Sequence, residues 1–324
     1  MSNNDDHIVV VGSLNADLVQ AADRLPMPGE TLRGGDLRVI PGGKGANQAC
    51  AVGRLGGRVA MIGNVGCDPF AAMLLDSLRS SGVDVLGVET VSGSSGAASI
   101  LVLPGGENGI VISPGANEKL TADDIARRMR RLKARIVLCQ LEVPMEATES
   151  ALAEARKTGA ITILDPAPAR PLSAAILSQV DYLTPNQTEA LALLDREGEA
   201  IDTLADAKSA AGKLLSLGPA NVILKIGRLG CVLATPNEIQ AFTGFDVRAV
   251  DTTGAGDVFN GAFATALAEG RTAFEAAMMA NAAAALSVTR AGAQSSIPSR
   301  SEVEDLLQAG VTVSVLNRSS EVDR

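Results

Sequence analysis

The sequence of 324 residues has very few aromatic residues and almost no histidine. Its single histidine, His7, lies near the N-terminus, which excludes a Ser-His-Asp triad and a histidine-ligated zinc site. There is no tryptophan and one tyrosine, and the formal net charge is -9, so the chain lacks the basic surface and the stacking side chains of nucleic-acid-binding proteins. Carboxylates must therefore do any acid–base chemistry, and we expect a small polar substrate rather than a nucleic acid.

Long apolar runs and paired cysteines are absent as well. No run approaches the roughly 20 apolar residues that a membrane span needs, and the first six residues are polar and acidic, unlike a signal peptide. The cysteines are far apart, form no CxxC pair and have apolar neighbours. We therefore expect a cytoplasmic protein without membrane contact, whose four cysteines are buried free thiols: Cys50, Cys67, Cys139 and Cys231.

Strand and helix patterns alternate along most of the chain. Short β-branched runs, for example at residues 8–11, 136–141 and 161–164, predict buried strands, and the periodic segments between them predict helices. This alternation predicts a three-layer α/β/α fold with a mostly parallel central sheet. With 46% hydrophobic residues, the chain can bury a substantial core, and we assign residues 1–324 to one such domain.

Two segments depart from the alternation. Pro26, Pro28 and Gly29 argue against a helix between residues 18 and 40, where we expect a small excursion of two or three strands. Strands at 97–103 and 110–112 could join it, so that residues 15–42 and 96–114 form a small β-sheet inserted in the domain. Residues 309–324 are predicted to form a polar C-terminal tail, with a brief β-prone stretch at 311–316.

Polar residues cluster just after the predicted strands, at the edge where open α/β sheets bind ligands. Glu142 and Asn186 also have a structural explanation. Glu142 precedes a helix whose first turn favours a carboxylate, and Asn186 begins a capping box that ends at Glu189. The polar residues at this edge are Asn15, Asp17, Asn64, Glu142, Asp165, Asn186 and, as a turn, Gly227.

The motif Asp-Thr-Thr-Gly-Ala-Gly-Asp at residues 251–257 directly precedes an apolar periodic run. Its glycines allow a tight loop at a helix N-terminus, where unpaired amides and the helix dipole can hold a phosphate or an oxyanion. Asp257, at the edge of that pocket, is suited to accept the proton of an attacking hydroxyl. The pattern thus indicates phosphoryl transfer, although a plain turn capped by Asp257 is the alternative.

A second glycine-rich motif, Pro-Gly-Gly-Lys-Gly-Ala-Asn at residues 41–47, also opens a predicted helix. It lacks the four-residue gap between glycines and the Ser or Thr after the lysine that define a P-loop. The run Val-Gly-Ser-Leu-Asn at residues 11–15 likewise lacks the later glycines of a dinucleotide fingerprint. Taken alone, the second motif is equally consistent with an ordinary turn.

Together the two motifs resemble the two signatures of the ribokinase-like family of carbohydrate kinases, and the resemblance covers about residues 8–308. It implies that Asp257 is the catalytic base and that the amides of Gly254, Ala255 and Gly256 form an anion hole for the transferred phosphoryl group. It also implies that sugar hydroxyls are bound by Asn15, Asp17, Gly43, Lys44, Gly45, Ala46, Asn47, Glu142 and Asp257.

The same resemblance implies ATP, Mg²⁺ and a monovalent cation, K⁺, as cofactors. Asn186 and Glu189 would help to position magnesium and the triphosphate, largely through water. The implied nucleotide-binding residues are Asn186, Glu189, Lys225, Gly227, Arg228, Gly230, Gly256 and Asn281. The monovalent cation would be surrounded mostly by backbone carbonyls, with side chains only from Asp251 and Ser296, at Asp251, Thr253, Ser287, Arg290, Gly292 and Ser296.

The resemblance also implies that residues 15–42 and 96–114 form a lid, which covers the sugar and joins two subunits in a homodimer. The expected activity is phosphorylation of D-ribose at its 5-hydroxyl by MgATP. Kinases acting on 2-deoxyribose, a ketohexose or a nucleoside remain alternatives. A nucleoside is disfavoured because neither lid segment contains an aromatic residue for a base. A sugar sensor without catalysis is disfavoured because binding alone requires neither a base nor a triphosphate site.

Overall fold

The computed structural model describes residues 7–105 and 107–319, with side chains up to residue 309. In this part of the chain the backbone forms thirteen strands. They are β1 (His7–Val11), β2 (Asn15–Ala21), β3 (Arg38–Gly42), β4 (Val59–Val65), β5 (Val83–Thr90), β6 (Gly96–Val102), β7 (Asn108–Ser113), β8 (Ala134–Cys139), β9 (Ile161–Leu164), β10 (Tyr182–Leu183), β11 (Asn221–Lys225), β12 (Gly230–Ala234) and β13 (Ile239–Thr243).

The described residues also form ten α-helices, and polar caps define where several of them begin. Four start with a capping box, in which the side chain of the N-cap residue accepts from the backbone amide three residues later. The side chain of that later residue accepts in turn from the N-cap amide. The helices are α1 (Lys44–Arg54), α2 (Pro69–Ser80), α3 (Ala122–Met129), α4 (Met145–Thr158), α5 (Ala174–Leu177), α6 (Gln187–Leu193), α7 (Leu204–Leu215), α8 (Ala255–Ala268), α9 (Ala273–Ser287) and α10 (Arg300–Ser319).

Nine strands form the central sheet in the order β13-β12-β11-β10-β9-β8-β1-β4-β5. Neighbours from β11 to β5 pair in parallel, whereas β12 and β13 add an antiparallel edge. In β1, Ile8 and Val10 pack on one face with α1, α2, α8, α9 and α10, while Val9 and Val11 pack on the other with α3 to α7. Because both faces are covered, β1 is buried and apolar from Ile8 to Val11, and the predicted three-layer fold is confirmed.

Four further strands form the smaller sheet, in the order β3-β2-β6-β7. Strand β2 pairs with β3 in antiparallel and with β6 in parallel, and β6 pairs with β7 in antiparallel orientation. Since β2 begins at Asn15, only four residues after β1 ends at Val11, the carboxyl edge of the central sheet leads directly into this second sheet. The strands lie within the two segments predicted to form a lid.

The structure differs from the predictions at several places. The β-prone expectation for residues 311–316 is wrong, because α10 continues to Ser319; β-branched residues weaken a helix only slightly once it has been nucleated. The predicted tail from residue 309 thus starts inside α10, and its last five residues, 320–324, lie outside the described part. Strands β5 and β13 were not predicted. All four cysteines are free, but Cys67 is exposed rather than buried.

Candidate active site

The N-terminus of α8 lies at the edge of a deep cleft. Gly254 caps the helix with φ 73°, a left-handed conformation that favours glycine, and a Cβ there would lie 2.9 Å from the Cβ of Ala293. The Ala255 amide donates to the Thr252 carbonyl at 3.2 Å. The first turn as a whole carries the positive end of the helix dipole toward the cleft. This geometry can bind an anion at Gly254, Ala255 and Gly256.

Asp257 follows in the first turn of α8 and is only 5% exposed. Each carboxylate oxygen accepts one buried amide: Asn47 Nδ2 lies 2.9 Å from Oδ2, and Gln48 Nε2 lies 3.0 Å from Oδ1. Burial raises the pKa of Asp257 and Asp165 raises it further, while Lys44 and the two amides oppose the rise. A carboxylate with free lone pairs and a raised pKa is suited to accept a proton from a hydroxyl.

Helix α1 brings the second glycine-rich motif to the same place. Gly43 caps it with φ 90°, and a Cβ there would lie 2.8 Å from the backbone nitrogen of Asn15, so only glycine allows this approach. The backbone amide of Ala46 donates to the carbonyl of Ser13, and the Gly45 amide to its hydroxyl. The predicted residues Gly45 and Ala46 therefore use their amides to fix α1 against β1.

Lys44 faces a group of carboxylates from several elements. Burial alone would lower the pKa of its ammonium, but the surrounding negative charges outweigh that effect and raise it, so Lys44 remains charged. Its backbone amide donates to Glu142 Oε2 at 3.0 Å, and the Ser13 hydroxyl donates to the same oxygen. The carboxylates around the ammonium are Asp257, Asp165, Glu142 and Glu189.

Asn15 and Asp17 lie at the start of β2, where the two sheets meet. Asn117 Nδ2 donates to Asn15 Oδ1 at 2.7 Å, which directs the amide group of Asn15 away as a free donor. Burial, with the charges of Glu142 and Asp257, raises the pKa of Asp17 to about 7. The site therefore combines amide donors with several carboxylate acceptors, as recognition of a polyol requires.

The cleft beside these residues has a volume of about 540 Å³. All eight residues predicted to bind a nucleotide line it, together with Lys44, Asp257 and the first residues of α8. Asn186 and Glu189 satisfy each other through the capping box of α6, and Asn281 Nδ2 donates to the carbonyl of Thr243. Burial and the charge of Asp165 raise the pKa of Glu189. The capping explanation of Asn186 is thus correct, and it is compatible with a place in the cleft.

Of the residues predicted to surround a monovalent cation, Thr253 and Gly292 contact Asp251. Its carboxylate accepts the backbone amides of Thr253 at 2.9 Å and Gly292 at 2.8 Å, which ties the loop before α8 to the loop after α9. Burial acts to raise the pKa of Asp251, but these donors lower it on balance. The Arg290 guanidinium pairs with Glu302, while the Ser287 and Ser296 hydroxyls donate to nearby carbonyls.

Sequence reasoning missed several buried polar residues that hold the site. Asp165 was noted only as a residue after a strand, yet its carboxylate accepts from Lys225 Nζ at 3.0 Å and from Gln48 Nε2 at 2.9 Å. Gln48 directly follows the second glycine motif, which was the one available signal for it. Asn117, Gln140 and Gln294 carry no local pattern, because their partners are distant in sequence.

Comparison with known proteins agrees with this arrangement. The sequence matches the pfkB family carbohydrate kinase description over residues 5–300. It is 39% identical over 302 residues to ribokinase of Bacillus subtilis, covering 93% of this chain and 99% of the relative. It is 38% identical over 303 residues to deoxyribokinase of Salmonella typhi, covering 93% and 98%. The solved structure of Arabidopsis thaliana ribokinase complexed with ribose and ATP is similar with a TM-score of 0.85 and 34% identity, covering 93% and 98%.

The family match spans both glycine-rich motifs, the cleft between them and the second sheet, so it covers every residue that forms the candidate site. The resemblance that the two motifs indicated is therefore confirmed, and the chain belongs to the pfkB family of carbohydrate kinases.

Proposed function

We propose that this protein transfers the γ-phosphoryl group of MgATP to the 5-hydroxyl of D-ribose, giving D-ribose 5-phosphate. The observation that carries the proposal is the placement of Asp257: a buried carboxylate with a raised pKa, at a glycine-rich helix N-terminus, between a nucleotide-sized cleft and a group of hydroxyl-binding side chains. The ribokinase and deoxyribokinase relatives support a pentose as the acceptor.

In the proposed reaction the 5-oxygen of the sugar forms a bond to the γ-phosphorus, and the bond from phosphorus to the bridging oxygen of ADP breaks. Asp257 accepts the hydroxyl proton as the nucleophile attacks. The amides of Gly254, Ala255 and Gly256 hold the negative oxygens of the transferred group, and the Lys44 ammonium adds positive charge on the same side. Hydrogen bonds from Asn47 and Gln48 fix the Asp257 carboxylate before substrate arrives, so the base needs little reorganisation.

The residues near Asn186 and Glu189 fit a magnesium ion that is held mainly by phosphate oxygens and water. The described residues contain no cluster of three or more histidine, cysteine, aspartate or glutamate side chains that could enclose a metal. Glu189 nevertheless places a carboxylate of raised pKa in the cleft, where a nearby cation would offset its buried charge. When bound, magnesium neutralises charge on the triphosphate.

The choice of a polyol as acceptor rests on the balance of donors and acceptors, and the choice of ribose rests on the ribokinase relatives. Asn15 presents its amide hydrogens because its oxygen is engaged by Asn117, while Asp17 and Glu142 present acceptors. A hydroxyl both donates and accepts, so a ring of such groups suits a polyol. Loss of one hydroxyl would leave a buried polar group unpaired, at roughly 1 to 3 kcal/mol, and should reduce catalytic efficiency about ten- to hundredfold for 2-deoxyribose.

The test is the ratio of catalytic efficiencies for ribose, 2-deoxyribose, fructose and adenosine, measured by coupled ATP consumption under one set of conditions. We expect ribose to give the highest value. A higher value for any of the other three would replace the substrate while leaving the kinase chemistry intact. No ATP consumption with any sugar, combined with tight ribose binding by calorimetry, would instead identify a sensor.

Three further properties belong to the same proposal. A monovalent cation, K⁺, would stabilise the loops joined by Asp251, beside the anion-binding turn. A homodimer would form through the lid, which exposes apolar side chains such as Val111 and Ile112. A cytoplasmic location is supported by four cysteines that are all free thiols, as expected in a reducing compartment. None of the helices in residues 7–105 and 107–319 is both long and apolar enough to cross a membrane.

A further inference from the structure

Gln48, in the first turns of α1, is fully buried and lies between two carboxylates. Its Nε2 atom is 3.0 Å from Asp257 Oδ1 and 2.9 Å from Asp165 Oδ2, so each amide hydrogen is directed at a different carboxylate. Asp165 in turn pairs with Lys225, which lines the nucleotide cleft. A single neutral side chain therefore joins the base at α8 to the carboxylate that follows β9.

The orientation of the Gln48 amide is fixed by a hydrogen bond to its oxygen. Gln140, also fully buried, donates from Nε2 to Gln48 Oε1 at 2.6 Å. If the Gln48 amide were turned over, its oxygen would face two carboxylates and its nitrogen would face the Gln140 donor, so every contact would be repulsive. A Cβ on Gly12 would approach Gln140 Oε1 to 2.0 Å, and glycine at that position is therefore what leaves room for Gln140.

The other oxygen of Asp257 is held by a second, different chain of amides. Gln294 Nε2 donates to Asn47 Oδ1 at 3.1 Å, and Asn47 Nδ2 donates to Asp257 Oδ2 at 2.9 Å. Asn47 retains one amide hydrogen and belongs to the predicted sugar-binding set. Gln48 has no such freedom, because both of its amide hydrogens and its oxygen are engaged within the protein.

We propose that Gln48 is a positioning residue for the catalytic base: it separates Asp257 from Asp165, holds the Asp257 carboxylate toward the sugar hydroxyl, and does so without touching substrate. The inference rests on the proposed role of Asp257 and goes beyond it. Without the two amide hydrogens, a buried carboxylate beside another negative charge binds a proton more readily, and a protonated Asp257 cannot act as the base.

Charged groups from several elements influence the pKa of Asp257. Lys44 on α1 lowers its pKa, and Asp165 after β9 raises it. Asp17 on β2 also senses the charge of Asp257. Lys225 on β11 and Glu189 on α6 act one step further away, through Asp165. The hydrogen bond from Gln48 lowers the pKa of Asp257, so its removal must shift the titration toward higher pH.

The experiment is the pH profile of kcat/KM for Gln48→Met, which keeps the length of the side chain and removes both donors. We expect the acid limb to move to higher pH by about one unit or more, and kcat near pH 7 to fall on the order of tenfold or more, with the KM for ribose changed only a few-fold. The matched control is Asn260→Leu, which also removes a fully buried amide from the core but one without a hydrogen-bond partner among the described residues.

An unmoved acid limb in a folded Gln48→Met protein would overturn the inference, and so would an equal shift in Asn260→Leu. If Gln48→Met does not fold, the pH profile of Gln140→Met takes its place, because this variant keeps Gln48 but removes the donor to its oxygen. A smaller shift of the acid limb to higher pH would support the inference, and an unmoved acid limb would reject it. Asp257→Asn separates the two claims. If that variant keeps substantial turnover, the proposed role of Asp257 as the base fails and this inference fails with it, whereas if it is inactive and the Gln48 profile is unmoved, only this inference fails.

Discussion

The carboxyl edge of the central sheet and the lid are built in opposite ways. At the sheet edge, polar side chains are buried and held by other polar side chains: Asp257 by Asn47 and Gln48, and Asp165 by Lys225. The lid instead exposes large apolar side chains, with Val111 at 69% and Met27 at 67%, on strands and loops that lie outside the main core. The exposed apolar residues of the lid are Leu25, Met27, Leu37, Val39, Ile110, Val111 and Ile112.

This difference separates two requirements of the proposed reaction. The groups that act on the phosphoryl group must be in place before substrate arrives, because pre-oriented charges are what lower the barrier. The surface over the sugar must admit the substrate and then cover it, and exposed apolar side chains of this kind mark a surface that another surface can cover. The sheet edge therefore lies within one chain, whereas the lid is the part for which we propose contact with a second chain.

The largest expected effect comes from removing the base. Asp257→Asn keeps the shape of the side chain and its place at α8 but cannot accept the proton. We expect kcat to fall by about 100-fold or more, with the Kd for ribose within a few-fold, because a base acts in the transition state rather than in binding. Single-turnover kinetics and calorimetry measure the two effects separately. A variant with a tenth or more of the original turnover would mean that the sheet edge does not supply the base through Asp257.

The second-largest expected effect comes from a charge placed on the lid. Val111→Asp places a charge on the exposed face of β7, and we expect the particle mass from light scattering at micromolar concentration to fall to that of one chain. Catalytic efficiency for ribose should then decrease by roughly one power of ten, since the sugar is held less firmly over the base.

Leu86→Asp is the matched control for this charge. Leu86 is 89% exposed on β5, an edge strand of the central sheet, and we place it in neither the lid nor the site. It should leave both mass and efficiency unchanged. A monomeric mass for the unaltered protein would contradict the proposed role of the lid directly.

The same contrast explains which parts of the site could be predicted from the sequence. The loop at 251–257 and the motif at 41–47 carry their chemistry in consecutive residues, so their place at helix N-termini was predictable. The hydrogen-bonded chain of Gln140, Gln48 and Asp257 was not predictable. Gln48 is 92 positions from Gln140 and 209 positions from Asp257, so these residues meet only after the sheet has formed. The strand prediction for residues 311–316 was wrong because alternating β-branched residues are typical of a strand, although a preceding helix can extend through them.

A smaller effect is expected from the cation. Turnover should rise several-fold when sodium is replaced by potassium at constant ionic strength, because an ion among the carbonyls near Asp251 would stiffen the loop that precedes the anion-binding turn. In Asp251→Ala the difference between the two salts should disappear. Equal turnover of the unaltered protein in sodium, potassium and a bulky organic cation would contradict this expectation.

The smallest effect concerns stability at the junction of the two regions, where Asp17 begins the lid beside the site. Burial, with the charges of Glu142 and Asp257, raises its pKa from 3.8 to about 7 in the folded protein. Between those values the folded state binds the proton and the unfolded state releases it. Asp17 therefore favours folding below about pH 4 relative to higher pH, and this contribution is lost as the pH rises through about 7.

Asp17→Asn keeps the shape and removes this titration, so the difference between the two proteins isolates one group from the other buried carboxylates. We expect the Tm of the variant to exceed that of the original protein by a gap that widens between about pH 4 and 7 and is constant above, reaching roughly a few degrees. Differential scanning calorimetry without sugar, over a series of buffers, measures the gap. A gap that is independent of pH would show that Asp17 is ionised throughout and that the lid junction, unlike the sheet edge, is open to water.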